Sequence, residues 1–83
     1  MSKRWPEIQD KLQKLTLKER AGLFNEFISK HPKWADHTVE ALRLVAVKLK
    51  TQAVVTKEMS IHKQIVNRAV MHFKAFLAKK KAV

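Results

Sequence analysis

Residues 33 to 83 contain neither glycine nor proline, and this absence constrains the fold more than any other feature of the chain. Tight hairpins rely on these two residues for their turn geometry, so such a stretch favours helices joined by short polar turns. The single glycine, Gly22, and both prolines, Pro6 and Pro32, fall earlier. The expected fold is all-α, a compact domain of four or five helices spanning residues 1–83, with 1–4 and 80–83 frayed. A length of 83 residues suits one domain with one small core.

Local signals place the first helices. Trp5-Pro6-Glu7 opens a helix, because proline needs no amide partner at the first helical position and an early glutamate suits the positive end of the dipole. Trp5, Ile8, Leu12 and Leu15 recur at helical spacing, and Thr16-Leu17-Lys18-Glu19 is a capping-box pattern that starts a second helix at Leu17. His31-Pro32 stops that helix. Gly22 lies inside it and is read as permitting a close helix contact. Asp36, His37 or Thr38 caps a third helix, with Asp36 the best acceptor.

The third helix carries Leu42, Val45, Ala46, Leu49 and Ala53 on one side, with Leu44, Val47 and Val55 over much of the rest. Arg43, Lys50 and Lys57 form its polar stripe. The alternation through Leu42 to Val47 also suits a strand, but no second strand is available to pair with it. Thr51, Val54, Val55 and Thr56 are weak helix formers, so a break near Lys50 to Gln52 competes with continuation to Lys57. In the last helix, capped by Ser60, Ile65, Val66, Ala69, Val70, Phe73, Phe76 and Leu77 form an apolar arc opposite Lys63, Gln64, Asn67, Arg68, Met71 and Lys74.

If the third helix breaks, the stretch from Gln52 to Met71 resembles a helix-turn-helix unit. Val55, Met59, Ile61, Val66 and Ala69 fall where such a unit locks its two helices together. His62, Lys63, Gln64, Asn67 and Arg68 fall where it points its second helix into a DNA groove. The turn position, commonly glycine, is Ser60, and the tight-contact position, commonly alanine, is Thr56. The resemblance is to the motif and extends to no particular family.

Charge points the same way. The chain carries a formal +11, and residues 41 to 83 hold ten Lys or Arg against Glu58 alone. Residues 1 to 40 hold eight against six acids. Positive charge concentrated in this way attracts polyanions, nucleic acid foremost. The last helix has no acid among its lysines, whereas a merely solvated face commonly mixes both signs. The Lys79-Lys80-Lys81 run is explained equally by the negative end of the helix dipole.

Enzyme signatures are missing: there is no Gly-rich phosphate loop, no nucleophile elbow and no zinc-protease motif. With no cysteine in the chain, disulfides and thiolate chemistry are excluded. The four histidines, His31, His37, His62 and His72, show no ligand spacing, so neither metal nor cofactor is expected. Phe24, Phe27, Phe73 and Phe76 sit at core spacing, and Trp5 and Trp34 are expected to pack there too. No apolar run is long enough to span a bilayer and no secretory signal follows Met1, so a cytoplasmic, intracellular protein is expected.

The resulting expectation is a non-enzymatic double-stranded DNA-binding protein, a small regulator of transcription or replication acting as a homodimer. Its contacts come from His62, Lys63, Gln64, Asn67, Arg68 and Lys74, with Lys57, Lys50 and Arg43 adding to the backbone. The alternative is a basic interaction module or inhibitor that docks on an acidic protein surface.

Overall fold

The Thr16 capping box forms as its spacing dictates: Glu19 N–H donates to Thr16 Oγ1 at 3.1 Å, and Thr16 N–H donates to Glu19 Oε1 at 3.0 Å. In the computed structural model, which describes residues 5 to 80, this junction separates α1 (Trp5–Gln13) from α2 (Leu17–Ser29). The chain continues as α3 (Asp36–Ala46), α4 (Gln52–Met59) and α5 (Lys63–Lys80), and the described residues include no strand. Of the ends expected to fray, 1–4 and 81–83 lie outside the described residues, while Lys80 closes α5 and pairs with Glu26.

The third apolar segment therefore breaks. Helix α3 ends at Ala46, the Lys48 and Lys50 amides reach back to the Arg43 and Leu44 carbonyls, and Leu49 takes a left-handed conformation with φ 60°. Thr51 then caps α4 by accepting from Val54 N–H at 3.2 Å. The weak helix formers after Lys50 do not prevent a helix; the reversal falls just before them, and Thr51 serves as the cap.

One hydrophobic core takes side chains from all five helices. Helix α5 crosses it, contributing Val66, Ala69, Val70, Phe73, Phe76 and Leu77, and packs on α3, α4 and α1. Phe27 is fully buried at the aromatic centre, with edge-on contacts to Trp34 and Phe73 at 5.3 Å and to Phe76 at 5.4 Å between ring centroids. Edge-to-face geometry places positive ring edges against negative faces. Trp5 and Trp34 are half-buried and pack against this core.

Arg20 ties the layers together. Its Nε donates to the Val47 carbonyl at 2.9 Å, and one terminal nitrogen donates to the carbonyls of Leu12 (3.2 Å) and Leu15 (2.8 Å). One guanidinium thus reaches carbonyls of the α1–α2 turn and of the end of α3, where helix termini leave carbonyls short of partners; the Leu12 carbonyl also accepts from Leu15 N–H.

Four expectations are corrected. Gly22 makes no close helix contact, since it is exposed and a Cβ there would meet nothing within 4 Å. Asp36 does not cap α3: Ala35 occupies the cap without a side-chain bond, and Asp36 is the first helical residue, where its charge suits the dipole. Ser60 does not cap α5; it ends α4 with φ 52°, two residues too early to begin the next helix. Ile65 does not face the core, because α5 starts at Lys63 and its buried arc begins at Val66.

Candidate nucleic-acid interface

The left-handed Ser60 creates the sharp turn between α4 and α5. Its N–H and that of Ile61 both return to the Thr56 carbonyl, the Ile61 bond at 3.2 Å, closing α4 with a Schellman-type turn. Ile61 turns into the core and His62 begins α5, its carbonyl accepting from Ile65 N–H and its Nδ1 from Gln64 N–H at 3.2 Å. Val55 and Val66 are fully buried, and Ile61 and Ala69 are buried beside them, with Met59 half-buried against the same core. The apolar positions expected to lock the two helices together thus do so. Thr56, where a smaller residue is usual, turns its hydroxyl back to the Gln52 carbonyl at 2.7 Å.

This packing leaves Lys63, Gln64, Asn67, Arg68 and Met71 exposed on the first turns of α5, with Lys74 half-buried further along. His62 is exposed at the start of the helix, but its ring serves the cap. A cation in the first turn, Lys63, opposes the helix dipole. Fold stability does not call for it there, and it raises the positive potential of the exposed helix end.

The remaining basic residues divide by their partners. Arg43, Lys50 and Lys57 share no stripe, since they lie in α3, the following loop and α4 respectively. Arg43 donates to Glu40 through two guanidinium nitrogens, Nε at 2.9 Å. Lys50 Nζ donates to Glu58 at 2.8 Å, so the only acid after residue 40 is spent on it. Among the described residues, Lys57, Lys63, Arg68 and Lys74 pair with no carboxylate. Lys57 and Lys63 flank a cleft of about 320 Å³ between α4 and α5, which Gln52, Ala53 and Thr56 also line.

Two ion pairs, Glu40 with Arg43 and Glu26 with Lys80, favour the ionised form of their carboxyls. Hydrogen bonding from Arg43 lowers the Glu40 pKa and raises that of Arg43, and hydrogen bonding from Lys80 lowers that of Glu26. A carboxyl with a lowered folded-state pKa stabilises the fold above its unfolded value, and that contribution disappears as pH falls through the lowered one. Acidification therefore frees Arg43 and Lys80.

One cluster was not visible in the sequence. Trp34 packs against both His31 and His72, at 5.3 and 5.8 Å between ring centroids, although His72 comes from a distant part of the chain. His31 Nδ1 donates to the Phe27 carbonyl at 2.9 Å, which fixes its ring. Nothing local in the sequence linked His72 to Trp34. The described residues contain no group of three His, Asp or Glu side chains able to hold a metal ion, and no helix long and apolar enough to cross a membrane.

No family model matches the chain, and no curated protein or solved structure matches it either.

Proposed function

We propose that the protein binds double-stranded DNA by laying the first turns of α5 in the major groove, as a small cytoplasmic regulator of transcription or replication that acts as a homodimer. The observation that carries this reading is the acid-free face of α5 around Lys63, Arg68 and Lys74, with Lys57 across the α4–α5 cleft and a short left-handed turn joining the two locked helices. Gln64 and Asn67 have the donor and acceptor pair that adenine edges require, and Arg68 the fork that guanine requires. Met71, 61% exposed on the same face, suits contact with a thymine methyl. Lys57, Lys63 and Lys74 supply sequence-independent phosphate contacts. Arg43 and Lys50, already paired, contribute less.

Fluorescence anisotropy with a labelled duplex tests this reading. Three phosphate-neutralising cations per protomer give a logarithmic salt slope of about −3 for each protomer bound, on the order of a fortyfold loss between 50 and 200 mM salt. Arg68→Ala should weaken binding to a preferred duplex by about 1 to 3 kcal/mol without loss of helicity. Wild-type affinity in that variant removes α5 from the groove.

The second reading, docking on an acidic protein, draws on the exposure of Met71 and Val54. An apolar contact of that kind would survive salt that abolishes phosphate binding.

A further inference from the structure

Beside the basic face, a groove of about 290 Å³ opens between the start of α3 and the middle of α5. Its walls are Trp34, Thr38, Ile65 and His72, and Arg68 stands in its lining. The composition is unlike that of a phosphate seat. Ile65 stays 36% exposed instead of entering the core, and Trp34 and His72 meet edge-on at an interplanar angle of 71°. One guanidinium, one imidazole and one hydroxyl, from Arg68, His72 and Thr38, converge on a lining otherwise formed by Trp34, Ala35, Ile65 and Ala69. Pockets that retain small organic ligands combine an apolar lining with a few convergent polar groups in this way.

We infer that this groove binds a small planar aromatic anion, its ring between Trp34 and Ile65 and its carboxylate or equivalent group on Arg68. Charge sets the sign of the ligand: Arg68 pairs with no carboxylate among the described residues, so an anion there gains a charge-assisted, bidentate partner. The ring requirement follows from Trp34, whose outer surface is offered to the groove while its other contacts, Phe27 and His31, hold it in place. Because Arg68 also belongs to the proposed DNA face, bound ligand and duplex would compete for one guanidinium; that coupling, unlike the ligand site itself, rests on the DNA-binding reading.

Two-dimensional amide NMR of the full chain, titrated with 2-naphthoate, tests the site without DNA. Saturable shifts should concentrate at the Trp34 indole N–H and the amides of Thr38, Ile65 and His72. Acetate, an anion without a ring, and 2-naphthalenemethanol, a ring without an anion, should each bind at least about tenfold more weakly, a difference of about 1.4 kcal/mol. Ile65→Glu, which sets a carboxylate in the groove from an exposed position, should abolish the naphthoate shifts while the rest of the spectrum stays folded. Absent or non-saturable shifts, equal binding of either control, or an unchanged titration in Ile65→Glu would overturn the site. In the second arm, naphthoate should displace labelled duplex from the wild-type protein in proportion to its occupancy of the groove. Bound duplex unaffected at saturating naphthoate would overturn the competition. If the duplex does not bind at all, the DNA-binding reading fails while the NMR arm still decides the ligand site.

Discussion

The two turns that bracket α4 each place a residue other than glycine at positive φ, Leu49 at 60° before it and Ser60 at 52° after it, yet they are held by different means. The turn at Leu49 depends on distant parts of the chain. Leu49 packs on the core, Arg20 of α2 holds the Val47 carbonyl, and Gln9 of α1 reaches the Lys50 carbonyl at 3.5 Å. The turn at Ser60 is closed by the Thr56 carbonyl, which accepts from both the Ser60 and Ile61 amides. Left-handed backbone costs an L-residue roughly 1 to 2 kcal/mol, so each turn needs compensation. Both turns have local backbone bonds, but at Leu49 side chains of two distant helices add to them, whereas at Ser60 the only tertiary support is the burial of the neighbouring Ile61.

The largest effect expected from this difference is at Arg20. Arg20→Ala leaves the Leu12, Leu15 and Val47 carbonyls without their charged donor and should lower stability by about 2 to 3 kcal/mol, read by urea unfolding. Arg20→Lys should recover little, because a lone ammonium lacks the planar fork that reaches carbonyls on two elements at once. A loss below about 0.5 kcal/mol in the alanine variant, the usual surface level, would show that the first turn stands without its distant supports.

Glycine substitution at the two turns should give opposite signs. Leu49→Gly relieves the backbone but removes a half-buried side chain from the core, for a net loss of about 1 kcal/mol. Gly22→Ala, at an exposed helical site with open space around it, should gain about 0.4 to 1 kcal/mol by removing backbone freedom from the unfolded chain. Ser60→Gly, where the side chain is exposed and no core packing is lost, should gain about 0.5 kcal/mol by thermal unfolding. Stabilisation by both turn substitutions would mean that Leu49 packing contributes little, and the contrast between the turns would collapse.

The same division explains what was legible in the sequence. The Thr16–Glu19 box, the stop at Pro32 and the buried face from Val66 to Leu77 follow from short spacings and came through intact. The locking positions Val55, Ile61, Val66 and Ala69 were legible because apolar residues at those offsets have few alternatives once the chain turns between α4 and α5. Ser60 was misread because serine suits both the start of a helix and the turn that ends one, and only the inward path of Ile61 decides between them. Gly22 misled because glycine permits close contact without requiring it. For the candidate site, the exposed arc of α5 could be read from helical phase, as could the i,i+3 spacing of Glu40 and Arg43, whereas the partner of Lys50 could not. Each pairing depended on whether an acid lay within reach, and for Lys50 that acid, Glu58, came from another element. The Trp34 groove was hidden for the same reason, since its walls converge only when α3 and α5 pack.

The three carbonyls on Arg20 also bear on how the molecule comes apart. A single side chain of α2 holds both the α1–α2 turn and the end of α3, so opening either one removes part of the anchorage of Arg20. Helix α2 also meets α5 in the core, through Phe27 against Phe73 and Phe76, so the N-terminal pair and the helix that bears the basic face open as one cooperative unit. In native-state hydrogen exchange, the slow amides of α2 and those of α5 would report the same opening free energy.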